Sequence, residues 1–223
     1  MKFFKEIYKI LIVLILLFIG VFFVYPNIKK DPSLKIFTPA DINPKLLDSI
    51  IIGNTLQHFI PDFDLYNQDG DKVTQKNLSD KIYVSSFFFT TCNNICPIMT
   101  TNMKILHDHF LFDDEISFIS HTVTPKIDSI SVLKAYSDLF KIKTSKWMLL
   151  TGEKKQIYDL ARNSYFATTT KGDGSDQDFI HTENFVLIDK KKRIRGFYDG
   201  TSKEDTKRLI NEINILKSEY LED

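Results

Sequence analysis

Cysteine is nearly absent from this chain: in 223 residues there are two, Cys92 and Cys96. A pair this close cannot be a structural framework, and a bridge closing so short a loop would remove little chain entropy. The pair reads as a site. The alternative, two buried core thiols, sits poorly with the polar residues and the proline around them. Charge of one sign is lacking too. Lys and Arg together number 29, as do Asp and Glu, so the net charge is zero. That argues against a nucleic-acid partner, which normally requires a basic excess. Internal repeats and low-complexity tracts are missing. What remains is enough for one domain that buries its own core without disulfides. The 13% aromatic content, with 19 Phe, suits a core that contains a sheet.

Long hydrophobic runs are also scarce, with one exception. Residues 10–25, I-L-I-V-L-I-L-L-F-I-G-V-F-F-V-Y, carry no charge; Ile7 and Tyr8 extend the run, and Lys9 can snorkel from its end. So extended, it reaches the roughly 17–20 residues that a spanning helix needs. Lys2, Lys5 and Lys9 precede it, which predicts a cytoplasmic N-terminus and a translocated remainder. A cleaved signal peptide would have a shorter apolar core and a small-x-small site. The sequence that follows is Y-P-N-I-K-K-D-P, with no such site and no Cys for a lipid anchor. The expected organisation is an N-terminal transmembrane anchor at 1–25, a tether at 26–52 and a domain at 53–223. The tether holds Pro26, Pro32, Pro39 and Pro44, with a short helix near 44–51. The domain is expected on the periplasmic (extracytoplasmic) side of the inner membrane, where thiols tend to oxidise.

Within that domain, residues 63–66 and 72–74 read as a hairpin around N-Q-D-G. Residues 82–89, I-Y-V-S-S-F-F-F, read as a central buried strand. Further strands are expected at 116–121 and 147–151, with an antiparallel pair at 185–189 and 193–198. Helices are expected at 98–112, 128–140, 154–165 and 203–221, the last capped by Thr201 or Ser202. This order predicts an α/β, thioredoxin-like sandwich with a mixed central sheet flanked by helices.

The motif T-T-C-N-N-I-C-P then lies where a strand passes into a helix. On a helix, positions i and i+4 share a face, so both sulfurs can converge on one ion. A helix N-terminus with unpaired N–H groups favours the thiolate, which is both ligand and nucleophile. Pro97 at an early helical position loses little by lacking an N–H. Two thiolates select soft metals. Zinc or an iron–sulfur cluster would usually need two more Cys or His ligands, and no cysteine remains. Two Cys and one His would make a three-coordinate site, which suits copper better than structural zinc.

Five histidines compete for the third place. His181, in H-T-E-N-F-V-L-I-D just before a predicted strand, sits on the loop that this topology brings beside the cysteines. Position alone leaves a hydrogen-bonded structural role equally open. His121 ends a strand at the same sheet edge and is a weaker candidate. His107 and His109 read as surface or packing residues, and His58 is assigned no role. Met99 and Met103, one turn apart, can bind Cu(I) but more often fill core gaps.

The motifs P-D-F-D-L-Y-N-Q-D-G, F-F-F-T-T-C-N-N-I-C-P, W-M-L-L-T-G, H-T-E-N-F-V-L-I-D and R-G-F-Y-D-G-T resemble those of the Sco/SenC family of copper-binding thioredoxin-like proteins. The resemblance runs from about residue 53 to 216. It implies copper, as Cu(I) or Cu(II), bound by Cys92, Cys96 and His181. It also implies a role in cytochrome c oxidase assembly, with the CuA-bearing subunit or another copper protein as partner. That role is delivery of copper, reduction of the CuA-site cysteines, or both. The alternative is a membrane-anchored thiol–disulfide oxidoreductase, with Cys92 and Cys96 as its redox pair and no copper transfer. A thiol peroxidase on the same fold is only loosely echoed by Thr90 and Cys92, at the wrong spacing. One departure stands out. The family often has S-x-D-P after its third strand, with the Asp near the metal, whereas this chain has S-H-T-V-T-P and thus Thr124. Loss of that carboxylate is expected to change the polarity around the site.

Overall fold

The computed structural model describes residues 7, 9, 11–20, 33–42, 58–168, 172 and 178–221. The chain divides into two compact units, Met1–Ser33 and Leu34–Asp223. In the first, residues 11–20 of the apolar run are helical. Among the described residues no helix is long and apolar enough to cross a membrane. The remainder of the predicted anchor and the expected helix near 44–51 lie outside the described residues.

The second unit opens with a helical turn, Pro39–Ile42, and a hairpin, β1 (Asp64–Tyr66) and β2 (Lys72–Thr74). In the hairpin turn, the Asn67 side-chain oxygen accepts from the N–H groups of Asp69 and Asp71, both at 2.9 Å, and Gly70 takes φ +86°. There follow β3 (Ile82–Phe88), α1 (Ile95–His109), β4 (Ile116–Thr122), α2 (Ile130–Leu139), β5 (Trp147–Leu150) and α3 (Lys154–Asp159), which runs on into a π-turn, Leu160–Ser164. The unit closes with β6 (Asn184–Ile188), β7 (Ile194–Asp199) and α4 (Lys203–Glu219). Ser129 and Ser202 cap α2 and α4, accepting from the N–H groups of Val132 and Asp205.

The five-stranded sheet has the order β5-β4-β3-β6-β7. β3 pairs with β4, and β4 with β5, in parallel; β6 and β7 add antiparallel strands on the other side of β3. Every residue of β3 is buried, which explains the lack of charged residues along it; its two serines bond inside the protein, Ser85 with His121 at 3.4 Å and Ser86 with Ser120 at 2.7 Å. Alternation sends β3 side chains to two cores. Ile82, Val84 and Phe88 pack with Met99, Met103 and Leu106 of α1 and with Leu209 and Ile213 of α4. Tyr83 and Phe87 pack with Phe63 and Leu65 of the hairpin region and with Ile157 and Leu160. The expected mixed α/β sandwich is therefore present.

α1 starts at Ile95, three residues before the predicted start. The apolar spacing that predicts a helix becomes regular only after Pro97. Proline is nevertheless tolerated within the first turn, where its missing N–H has no intrahelical acceptor.

Candidate functional site

The end of β3 delivers Phe89, Thr90 and Thr91 to Cys92, and α1 begins three residues later. Cys92 is not itself helical, so the two sulfurs do not meet as an i, i+4 pair on one helix face. They meet across the helix start. The Cys96 N–H donates to Cys92 Sγ at 3.4 Å. Asn94, the N-cap residue, makes no side-chain capping bond. The Cys92 sulfur takes the place of a capping oxygen, in front of N–H groups that would otherwise lack a partner. Both thiols are free and buried, Cys92 at 9% and Cys96 at 3% exposure.

This geometry separates the two thiols chemically. Burial pushes the Cys92 thiol up, but the backbone at Cys96, Asn94 and Ile95, with the Cys96 side chain, brings it below its ordinary value. Burial pushes the Cys96 thiol up to about 12, and the neighbouring Cys92 and the Asp128 carboxylate act in the same direction. Tyr136 of α2, whose hydroxyl bonds that of Thr100 at 2.7 Å, is also pushed up to about 12, by burial first and then by Cys96, Cys92 and Asp128.

His181 is exposed, on the loop before β6. Its neighbours Ile180 and Thr182 are buried, and the Thr182 hydroxyl donates to Ala167 O at 2.5 Å, so the backbone is held while the imidazole faces outward. This loop does reach the cysteine loop. Phe179 packs edge-on against Phe89, with centroids 5.1 Å apart at 82°. Among the described residues, no three or more His, Cys, Asp and Glu side chains are gathered to hold a metal ion. The donor chemistry nonetheless fits a soft cation. Two sulfurs share one turn, and the one exposed imidazole nearby is carried by a loop in contact with theirs.

The other histidines fall elsewhere. His121 is fully buried on the opposite side of the sheet from α1. It stacks on Phe87 at 4.9 Å and 18° and packs against Phe63 and Tyr165. His107 Nδ1 lies 2.8 Å from Asp108 Oδ1, and its Nε2 accepts from the Lys143 N–H at 3.4 Å. His109 is at the surface. His58 Nε2 bonds Ser164 O at 2.7 Å. Met99 and Met103 are buried core residues, at 3% and 1% exposure.

One residue near the site has no precedent in the sequence reading. Asp128, read there as the start of a helix, is fully buried. Its carboxylate accepts from the Thr90 N–H at 3.2 Å, the Thr90 hydroxyl at 2.5 Å and the Thr124 hydroxyl at 3.0 Å, and also from the Thr122 hydroxyl. Thr124 thus does not leave the site without a carboxylate; its hydroxyl points to one four residues on. An acidic residue just before a capping serine is ordinary at a helix start, so the sequence carries no signal of this burial.

The sequence model of the SCO1/SenC family matches residues 53–217. An SCO2-like protein of Rickettsia conorii is 31% identical over 222 residues, covering 95% of this chain and all of its own length. Among solved structures, BsSco is 28% identical with a TM-score of 0.61, covering 72% of this chain and 94% of its own. It is described as a cytochrome c oxidase assembly protein of the Sco family with a disulfide switch. Arabidopsis thaliana ScoI, solved with copper bound, is 25% identical with a TM-score of 0.56, covering 70% of this chain and 98% of its own.

Proposed function

Because this chain belongs to the SCO1/SenC family, we propose that it is a copper-binding factor of cytochrome c oxidase assembly that carries copper to the CuA-bearing subunit. The observation that carries the reading is the Cys92–Cys96 pair itself, two sulfurs brought together at a helix start. Copper here is cargo. Two thiolates suit Cu(I), and His181 supplies the third donor from its exposed loop. A site with one ligand on an exposed loop lets a recipient's ligand enter before a native one leaves. The copper-bound Arabidopsis relative and the assembly role stated for BsSco support this reading. The apolar run and its helical residues 11–20 support an anchor that holds the domain at the outer face of the inner membrane.

The full chain, reduced and in detergent, is expected to bind one copper per chain. Cys92→Ser and His181→Ala are each expected to weaken binding sharply. Because His181 is exposed, His181→Ala should leave the melting temperature unchanged. Wild-type stoichiometry and affinity in both variants would overturn the assignment.

The unequal thiols favour a second reading, reduction of the recipient's cysteines. The Cys92 thiolate attacks a partner disulfide, forming a mixed disulfide and releasing one partner thiolate. Cys96 then gives up its proton and attacks Cys92 Sγ. The second partner thiol is released, and the Cys92–Cys96 disulfide keeps the oxidation that the partner lost. The copper-free chain should then reduce an oxidised CuA-type peptide. If only the copper-loaded chain restores oxidase activity, this second reading fails.

A further inference from the structure

Among the described residues, every hydrogen bond to the Asp128 carboxylate comes from a neutral donor, three hydroxyls and one amide. Among the described residues no Lys, Arg or His forms an ion pair with it. A fully buried charge with no counter-charge is costly, and chains keep one only where hydrogen bonds or a bound cation offset it. The donors come from both sides of a junction. Thr90 belongs to the run into Cys92, while Thr122 and Thr124 belong to the end of β4 and the turn into α2. The turn is itself braced. The Asp128 N–H donates to Thr124 O at 2.9 Å, and the Thr151 hydroxyl donates to Asp128 O at 3.0 Å.

We propose that Asp128 is the positioning residue of the thiol site. It clamps residues 90–92 to the β4–α2 turn, and it holds there a buried negative charge that favours Cu(II) over Cu(I) at the two sulfurs. The second half rests on the copper reading above; the first does not. The clamp follows from geometry, since Thr90 is bonded through both its amide and its hydroxyl, two residues before Cys92. The charge effect follows from electrostatics. A negative charge screened by protein rather than water stabilises the more positive of two ions, and it acts across the site, being felt at Tyr136 as well.

Substitution separates the two roles. Asp128→Asn keeps the shape and removes the charge. Its carbonyl oxygen can accept the three donors now on Oδ2, and its amide can donate to Thr90 Oγ1 once that hydroxyl turns. Asp128→Ala removes both. In the copper-loaded full chain, Asp128→Asn is expected to lower the Cu(II)-over-Cu(I) affinity ratio about tenfold, which raises the one-electron potential by about 59 mV. In the copper-free chain, hydrogen exchange at the residue 90 amide is expected to stay near the wild-type rate in Asp128→Asn and to rise at least about tenfold in Asp128→Ala. Should Asp128→Ala not fold, Thr90→Val removes the clamp's hydroxyl bond and keeps the charge. It should speed exchange at residue 90 and leave the affinity ratio at the wild-type value. An unchanged ratio in Asp128→Asn overturns the electrostatic role. Unchanged exchange in Asp128→Ala, or in Thr90→Val if that variant stands in for it, overturns the clamp. A wild-type chain that binds no copper defeats the copper reading instead, and the exchange measurement still decides the clamp.

Discussion

Alkylation of the reduced chain at pH 8 should distinguish Cys92 from Cys96 by well over tenfold. Only the thiolate reacts, so the rate follows the fraction ionised and, less steeply, the nucleophilicity of the thiolate, which rises with its pKa. Cys92 is held below the ordinary thiol value of 9.0, because helix-start N–H groups face its sulfur. At pH 8 its thiolate fraction is therefore at least about 0.1. Cys96, raised to about 12 by burial, by Cys92 and by Asp128, has a fraction of about 10⁻⁴. The thiolate fractions differ by at least about a thousandfold; the greater nucleophilicity of the more basic Cys96 thiolate offsets about thirtyfold of that, so the expected ratio of labelling rates is at least about thirty, and the deeper burial of Cys96 adds to it. Iodoacetamide at a series of times, followed by peptide mass spectrometry, reads both sites in one sample. Two variants check the causes. In Cys96→Ser the backbone N–H groups remain, so Cys92 should still label readily. In Cys92→Ser, burial and Asp128 remain, so Cys96 should still label slowly. Labelling of Cys96 within tenfold of Cys92 in the wild-type chain would refute the reasoning, and with it the assignment of Cys92 as the attacking sulfur.

Two further outcomes follow from the packing. His121 is neutral when folded, its value lowered by burial from 6.5 to about 4, and among the described residues its Nε2 has no partner. Between those values the unfolded chain binds the proton and the folded chain does not, so stability falls as pH drops from 6.5 and the loss is complete below about 4. The loss is about 3 kcal/mol. His121→Phe should raise the melting temperature and flatten its slope across that window; an unaltered slope would count against the assignment. Arg195, at 3% exposure, bonds Asp189 at 3.1 Å, Glu219 at 2.6 Å and Leu34 O at 2.7 Å. Arg195→Met leaves two carboxylates without it and should destabilise the chain by about 3 kcal/mol in urea unfolding, with an unchanged m-value. A loss under about 1 kcal/mol would show that Arg193 alone suffices for Asp189.

The sequence by itself determined the elements and their order, because those depend on local pattern. The buried run of β3, the Asn67 turn and the Ser202 cap are each legible from their own residues, and all lie where expected to within a few positions. It also determined which residues are the candidates for the chemistry, since a chain with two cysteines offers one pair. Tertiary structure decided how those residues are placed. Alternation along β4 sends His121 to the core opposite α1, although its neighbour in sequence, Ser120, bonds Ser86 and Trp147 on the α1 side. The contact of Phe179 with Phe89 joins two loops 90 residues apart in the chain, which no local pattern encodes. Asp128 is the sharpest case. In the sequence it is an unremarkable acid before a helix. Only the convergence of Thr90, Thr122 and Thr124, from two strand ends, turns it into a buried charge beside the cysteines, because burial and solvation belong to the assembled fold and not to any residue within it.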